Sequence, residues 1–209
     1  WVLAVKPQEL PAVARGLAEL ARARRPLVIS VAAGVRTADL RRWLGDGADL
    51  VRTMPNRPAL VGAGATGLYA APGVPPERRA LAARLLDAVG ATVTLADEDA
   101  LDAVTAVSGS GPAYFFLLIE CLEAAAVEQG LAADVARRLA VETAWGAARL
   151  ARESLDDPAT LRAQVTSKGG TTAAALAVLE GADLRAIVSR AVAAATARSR
   201  ELAVAAGRG

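Results

Sequence analysis

Residues 26–55 have the sequence PLVISVAAGVRTADLRRWLGDGADLVRTMP. Two short apolar runs, PLVISVAA and LVRTMP, are separated by RTADLRRWL, which has the mixed apolar and charged pattern of a helix. Short apolar runs without polar alternation are typical of strands covered on both faces, and a helical crossover between two strands makes them parallel. This stretch therefore predicts a strand, helix and strand of an α/β fold.

The same alternation continues on both sides of this stretch as far as about residue 100. WVLAV at residues 1–5 and ATVTLA at residues 91–96 have strand-like sequences, whereas VGAGATGLYA at residues 61–70 is consistent with a strand or a loop. Its glycines at positions 62, 64 and 67 have the GxGxxG spacing of a dinucleotide-binding loop, but no clear strand-to-helix context surrounds them, so we reject that function for the segment. Beyond this point the patterns are all helical. We therefore predict an α/β domain with a mostly parallel, Rossmann-like sheet at residues 1–100 and an all-helical domain at residues 101–209.

The composition excludes several classes of function. The 209 residues include 24 basic and 22 acidic side chains, so the net charge of +2 does not indicate a nucleic-acid partner. The absence of histidine rules out serine–histidine and cysteine–histidine catalysis and histidine metal sites, and we predict no metal centre. Neither an uninterrupted run of about 18 apolar residues nor a leader pattern occurs, so we expect a cytoplasmic protein that does not bind a membrane.

Two predicted helical segments are apolar on more than one side of the helix. Residues 115–122 and 173–179 offer few polar positions to water, so we predict that a second copy of the chain covers them. The single cysteine, Cys121, lies within FFLLIECLEAAAV, and its apolar neighbours predict a buried, unreactive thiol.

Residues 165–172, VTSKGGTT, are the most informative loop candidate and precede an alanine-rich helical segment. The two glycines allow the backbone to turn and to approach a ligand closely, while the serine and the last two threonines supply hydroxyl groups. Free amides at the start of the following helix attract a carboxylate or phosphate. An ordinary cap with a flexible lead-in is the alternative, but a cap needs only one hydroxyl, so we favour anion binding.

Two other loops are weaker candidates for a ligand site. Lys6 follows the first predicted strand, at the end where open α/β sheets bind ligands, but a surface charge explains it equally well. In VSGSGPAY, residues 107–114, Gly109 and Gly111 are expected to break the helix. Close helix packing and ligand contact are both consistent with these glycines.

Five stretches follow one another in the order and approximate spacing of a known enzyme family: AVKP at 4–7, SVAAGV at 30–35, RTMPNRPALVG at 52–62, DAVTAVSGSGPAY at 102–114 and VTSKGGTTAAALAVLE at 165–180. On these motifs the whole chain resembles pyrroline-5-carboxylate reductase. The resemblance implies a Rossmann domain followed by a helical dimerisation domain, in a homodimer or higher homo-oligomer. It also implies that NADPH, or NADH, reduces 1-pyrroline-5-carboxylate to L-proline in the last step of proline biosynthesis.

The resemblance further implies which residues form the site. The substrate contacts would come from Ser167, Gly169, Gly170, Thr171, Thr172 and Gln164. Thr172 would hydrogen-bond the ring nitrogen, which makes it the candidate catalytic residue. The cofactor contacts would come from Ala4, Val5, Lys6, Pro7, Val31, Ala32, Ala33, Asn56 and Glu98.

The chain departs from the family pattern in three respects. Arg57 stands where the family's MPNTP motif has threonine, and Lys168 stands where proline is frequent, so we hypothesise that Lys168 strengthens carboxylate attraction. The family's amino-terminal GxGxxG loop is absent, Trp1 opens directly into a strand-like run, and the only methionine is Met54. We therefore expect a fragment that binds NAD(P)H poorly, because the pyrophosphate lacks its helix N-terminus.

Two alternatives to this reductase are worth testing. Hydroxyacid dehydrogenases also join a Rossmann domain to helices, but they use a lysine in a helix of the second domain, and here the long helix carries Glu120 and Glu123. A non-catalytic dimerisation or scaffold module derived from the same fold is the other alternative. The sequence leaves the choice between NADH and NADPH open.

Overall fold

The computed structural model describes residues 1–207 of the chain. These residues form two compact units. The first unit contains Trp1–Pro112 and the residues from Ala191 onward, and the second contains Ala113–Arg190. The domain boundary at residue 100, which rests on composition, stays a prediction.

The first unit contains a five-stranded sheet whose order follows the chain. The strands are β1 (Val2–Leu3), β2 (Leu27–Ser30), β3 (Asp49–Met54), β4 (Gly64–Ala70) and β5 (Gly90–Leu95). Only the pairing of β3 with β4 is antiparallel, and the other three pairings are parallel. The predicted Rossmann-like, mostly parallel sheet is therefore confirmed.

Strand β4 contains most of the segment that the sequence left open between strand and loop. Gly64 of β4 lies against β5, because a Cβ atom on Gly64 would lie 2.8 Å from the Val89 carbonyl oxygen and one on Gly90, whose φ is +153°, would overlap the backbone of Gly64. Glycine is thus required where β4 and β5 begin side by side. The segment is not a phosphate-binding loop.

Apolar side chains cover both faces of the sheet. The helices of this unit are α1 (Leu10–Gly16), α2 (Ala18–Arg24), α3 (Thr37–Leu44), α4 (Pro76–Asp87) and α5 (Ala100–Val104). Val28 packs in one buried cluster with residues of α1, α2 and α3, whereas its neighbour Ile29 packs in a second cluster with Ala82 of α4. Val28 and Ile29 are 0% and 2% exposed, and burial on both faces of the sheet explains the continuous apolar run of β2.

The helical run that begins with α5 extends as far as the first glycine of VSGSGPAY. It continues through one π-helical turn, Thr105–Gly109, in which the Ser110 amide donates to the Thr105 carbonyl (2.8 Å). Ser110 lies outside the helices and the next helix begins at Gly111, so the predicted interruption at these glycines is confirmed. A Cβ atom on Gly109 would lie 2.8 Å from Met54 Cε, so close packing accounts for this glycine.

The remaining helices are α6 (Gly111–Glu128), α7 (Ala133–Glu153), α8 (Pro158–Gln164), α9 (Thr171–Gly181) and α10 (Leu184–Ala206). The predicted helical pattern after residue 100 is thus confirmed. Asp157 caps α8 by accepting a hydrogen bond from the Thr160 amide (2.8 Å). Gly130 has a φ of +94° after α6, in the left-handed conformation that commonly ends a helix.

The apolar side chains of α6 and α9 are exposed in the single chain. Phe115 and Phe116 of α6 are 63% and 62% exposed, and Val178 of α9 is 73% exposed. Cys121 is exposed as well, so its predicted burial is wrong for one chain, because this face of α6 has no cover within it. The second copy that would cover these faces stays a prediction at this point.

One helical stretch is long and apolar enough to cross a membrane by length and composition alone. It comprises residues 100–128, and only 6% of its most apolar window is buried. Ser108, Ser110 and Glu120 lie within this stretch, so it is not an uninterrupted apolar run, and the absence of a membrane partner stays a prediction.

Candidate functional site

The predicted cofactor residues lie beyond the ends of two neighbouring parallel strands. Leu3 of β1 is paired with Ser30 of β2, and the Val31 amide donates to the Leu3 carbonyl (3.2 Å). The segments that follow, residues 4–7 and 31–33, therefore lie at the same edge of the sheet. This carboxyl edge is where open α/β sheets bind ligands.

A cavity of about 340 Å³ lies at this edge of the first unit. Its lining residues are Pro7, Gln8, Pro11, Ala33, Leu202, Ala205 and Ala206. Pro7 and Ala33 are predicted cofactor residues, so the structure brings these two together at one cavity. The last three lining residues belong to α10, and the sequence contained no signal for their presence here. The small and apolar side chains fit a flat, uncharged ring such as nicotinamide.

Hydrogen bonds within the sheet hold the loop after β2. The Thr53 hydroxyl donates to the Ser30 carbonyl (3.0 Å), and the Ala32 amide donates to the Ser30 hydroxyl (3.3 Å). Ser30 and Thr53 are almost completely buried. The position of Ala32 and Ala33 is therefore fixed by groups that water does not reach.

Glu98 lies beside the start of α3, where three hydrogen bonds engage its carboxylate. It accepts from the Thr37 amide (2.8 Å), the Thr37 hydroxyl (2.8 Å) and the Arg52 guanidinium (3.2 Å). The side chains of Arg52 and Glu98 are only 4% and 14% exposed. Glu98 thus connects β3 to α3, the helix that follows residues 31–36, and its direct contact with a cofactor stays a prediction. These residues contain the predicted cofactor positions after β2 and are called the cofactor loop below.

Asn56 joins three segments of the first unit. Its side-chain amide nitrogen donates to the Ser108 carbonyl (2.9 Å), and its oxygen accepts from the Ala65 amide (2.8 Å). Both polar groups of the side chain are therefore engaged within the protein, and a cofactor contact stays a prediction. Arg57, the departure from the family motif, is exposed beside it.

Two acidic residues surround Arg36, the residue that precedes α3. Its guanidinium lies 2.7 Å from the Asp99 carboxylate and 3.9 Å from that of Asp102. Burial alone would lower the pKa of Arg36, but the hydrogen bond to Asp99 and the negative charges nearby outweigh it and raise the pKa. Arg36 is therefore a permanent positive charge at the end of the cofactor loop.

The second unit contains the glycine loop, which is accessible to solvent. Ser167, Lys168 and Gly169 are exposed, and Gly169 has a φ of +73°. The first amide of α9 with a backbone hydrogen bond in the described chain is that of Ala174, which donates to the Gly170 carbonyl (3.2 Å). The amides before it are available to an anion, and an N-terminus of an 11-residue helix favours one.

A Cβ atom on Gly170 would meet the Ser167 hydroxyl, so a larger residue there would require the Ser167 side chain to rotate. The last two predicted loop residues, Thr171 and Thr172, form the first turn of α9. Gln164 ends α8 and donates from its side chain to the Asp156 carboxylate (2.7 Å). The loop residues are thus brought together as predicted along the chain, whereas the role of Gln164 stays a prediction.

A second cavity, of about 370 Å³, lies between α8 and α9 of this unit. Its lining includes Arg162 and Glu180, whose side chains form an ion pair at 3.1 Å. Their spacing of 18 residues gave no signal in the sequence. Among residues 1–207, no three histidine, cysteine, aspartate or glutamate side chains are grouped to hold a metal ion.

Comparison with known proteins connects both units to one family. A family model described as pyrroline-5-carboxylate reductase dimerisation matches residues 98–202. A pyrroline-5-carboxylate reductase of Pseudomonas aeruginosa is 48% identical over 202 residues, which are 97% of this chain and 74% of that protein. A solved pyrroline-5-carboxylate reductase from Coxiella burnetii has a TM-score of 0.93 at 43% identity, and the match covers 96% of this chain and 74% of that one. The Plasmodium falciparum pyrroline carboxylate reductase, solved with NADP bound, has a TM-score of 0.86 at 30% identity and covers 97% and 76% of the two chains.

Proposed function

Because the chain belongs to the pyrroline-5-carboxylate reductase family, we propose that it reduces 1-pyrroline-5-carboxylate to L-proline with NAD(P)H, the last step of proline biosynthesis. It is an oxidoreductase that acts on a carbon–nitrogen bond. The observation that carries this function is the 48% identity to a reductase of that name over 97% of the chain.

The carboxyl edge of the sheet is the proposed cofactor side. Pro7 and Ala33 line the cavity there, and the small side chain of Ala33 lets a flat ring approach the backbone closely. When bound, the nicotinamide cofactor supplies the hydride. The Plasmodium falciparum relative is described with NADP bound, which supports NADPH as the cofactor. Ala4, Val5, Lys6 and Val31 belong to the same two segments.

The glycine loop is the proposed site for the substrate carboxylate. The amides at the start of α9 donate to an anion, and Ser167 and Thr171 add hydroxyl donors. Lys168 is exposed in the same loop, and its ammonium attracts the carboxylate from solution. Binding through the carboxylate leaves the carbon–nitrogen double bond free to face the hydride donor.

The Thr172 hydroxyl is the proposed partner of the ring nitrogen. A protonated imine is already electrophilic, so the protein needs mainly to orient it, and a histidine is not required. A threonine hydroxyl is a weak acid, and orientation of the nitrogen is therefore its main contribution. The proton on nitrogen comes from solution before hydride transfer, and it stays on the proline product.

A homodimer or higher homo-oligomer of this chain is the proposed assembly. The family's dimerisation region covers residues 98–202 and includes the exposed apolar side chains of α6 and α9. Burial of these faces against a second copy removes apolar surface from water and explains why they lack cover in one chain. A cytoplasmic location, without nucleic-acid or membrane partners, is part of the same proposal.

The non-catalytic scaffold is the alternative, and one assay separates it from the reductase. The full-length protein is incubated with 1-pyrroline-5-carboxylate and either NADPH or NADH, and proline is quantified by chromatography. Equimolar formation of proline and consumption of NAD(P)H supports the reductase. Dimerisation without proline formation from either cofactor supports the scaffold.

A further inference from the structure

Helix α10 packs directly against the cofactor loop of the first unit. Gly34 has a φ of +78°, and a Cβ atom on it would lie 3.4 Å from the Ala203 amide nitrogen and from backbone atoms of Leu202. Ala33 lies next to Gly34 and lines two cavities, both of which Leu202 also lines. The position of α10 therefore sets the space available beside Ala33.

One buried hydrogen bond holds the middle of α10 to α5. The Ser199 hydroxyl donates to the Asp102 carboxylate at 2.6 Å, and these two residues are 97 positions apart in the sequence. Ser199 is 5% exposed and Asp102 is 1% exposed. A hydrogen bond of this length to a buried carboxylate is charge-assisted and strong.

The surroundings of Asp102 make this hydrogen bond important. Its second carboxylate oxygen has no hydrogen-bond partner within residues 1–207, although the guanidinium groups of Arg36 and Arg200 each lie 3.9 Å away. Ser199 is therefore the direct partner of a buried negative charge. Without its hydroxyl, α10 must shift to bring water or a guanidinium group to the carboxylate.

We propose that the Asp102–Ser199 hydrogen bond positions α10 against the loop at Ala33 and Gly34, and thereby sets the affinity for the nicotinamide cofactor. This inference rests on the proposed function and on the predicted contact of Ala33 with the cofactor. Ser199 and Asp102 are positioning residues, since they act through the loop and do not touch the reacting atoms. The effect is thus on cofactor binding, and the hydride-transfer step keeps its rate once the cofactor is bound.

The test compares three variants of the full-length protein by titration of NADPH fluorescence without substrate. Ser199→Ala is expected to raise the Kd about tenfold, whereas Ser199→Thr keeps the hydroxyl and restores the Kd to within about twofold. Thr196→Ala is the matched control on the same helix, because within residues 1–207 the Thr196 hydroxyl bonds only to the Val192 carbonyl of its own helix (2.9 Å). Its Kd is expected to equal that of the unsubstituted protein.

Steady-state kinetics and thermal unfolding complete the test. For Ser199→Ala, kcat at saturating cofactor and the KM for 1-pyrroline-5-carboxylate are expected to change less than about twofold. If this variant unfolds below the assay temperature, Ser199→Cys replaces it, because a thiol is a weak donor and is expected to raise the Kd as well. An unchanged Kd, an equal effect of Thr196→Ala, or no recovery in Ser199→Thr overturns the proposal. A protein that binds NADPH with this pattern but forms no proline contradicts the proposed function instead.

Discussion

Removal of the Glu98 carboxylate is expected to destabilise the protein even when no cofactor is present. Glu98→Ala deletes three hydrogen bonds, at 2.8, 2.8 and 3.2 Å, and leaves the Arg52 guanidinium, whose side chain is 4% exposed, without its counter-ion. Loss of one partner of a buried ion pair costs about 3–5 kcal/mol in the free energy of unfolding. For a chain of this size that corresponds to a fall in Tm of about 6–20 °C.

Glu98→Gln separates the charge of the side chain from its shape. One carboxylate oxygen accepts from both the Thr37 amide and Arg52, and the other accepts from the Thr37 hydroxyl. A glutamine can keep its oxygen in the first position and donate from its amide group to the Thr37 hydroxyl, which also accepts hydrogen bonds. Only the charge is then lost, so we expect about half the effect of Glu98→Ala.

Thermal unfolding of the cofactor-free protein measures both variants, with Glu77→Ala as the control. Glu77 is exposed on α4, and its removal is expected to change stability by less than about 0.5 kcal/mol. A Glu98→Ala variant as stable as this control without cofactor would refute the structural role of Glu98. In that case a direct contact with the cofactor would account for the residue better.

Three further predictions concern the glycine loop, the cap of α8 and the apolar surface. Lys168→Ala is expected to raise the KM for 1-pyrroline-5-carboxylate about threefold, because it removes an exposed positive charge from the glycine loop. Arg185→Ala is the control, and an unchanged KM in Lys168→Ala dismisses that role of Lys168. Asp157→Ala is expected to lower the Tm at neutral pH, because hydrogen bonds from Thr160 lower the pKa of Asp157. The cap therefore stabilises the fold above the ordinary pKa of the carboxyl group, and this stabilisation is lost as the pH falls through the pKa of the folded protein. An equal difference in Tm between Asp157→Ala and the unsubstituted protein at pH 7 and at pH 2 would contradict this account. Phe116→Glu is expected to give monomers in analytical ultracentrifugation, because it places a charge on the exposed face of α6. Leu85→Glu on α4, outside the dimerisation region, is the control and is expected to leave the assembly unchanged.

The strands other than β4 were predictable from sequence because their signals are local, whereas β4 and its antiparallel pairing with β3 were not. Val28 and Ile29 are consecutive residues that pack into clusters on opposite faces of the sheet, and such double burial produces the uninterrupted apolar run that marks β2. The glycine loop was predictable for a similar reason, because its glycines, hydroxyls and following helix are contiguous in the chain. The five family motifs along the chain gave the reductase function directly.

The contacts that hold the cofactor loop were not predictable, because they join distant parts of the chain. Glu98 meets Thr37 across 61 residues and Arg52 across 46, and Ser199 meets Asp102 across 97. The helical pattern of α10 identifies an apolar face but not the element that it packs against. Cys121 was misjudged for the same reason, since apolar neighbours in sequence do not reveal whether one chain or two provide the cover.

The fate of the cofactor hydride tests the reductase assignment most directly. The full-length protein is supplied with 1-pyrroline-5-carboxylate and with NADPH that carries deuterium at the transferred position of the nicotinamide ring, and the product is analysed by mass spectrometry and NMR. We predict proline with a single deuterium on carbon 5, next to the ring nitrogen. Unlabelled proline, or no proline at all, would contradict the assignment.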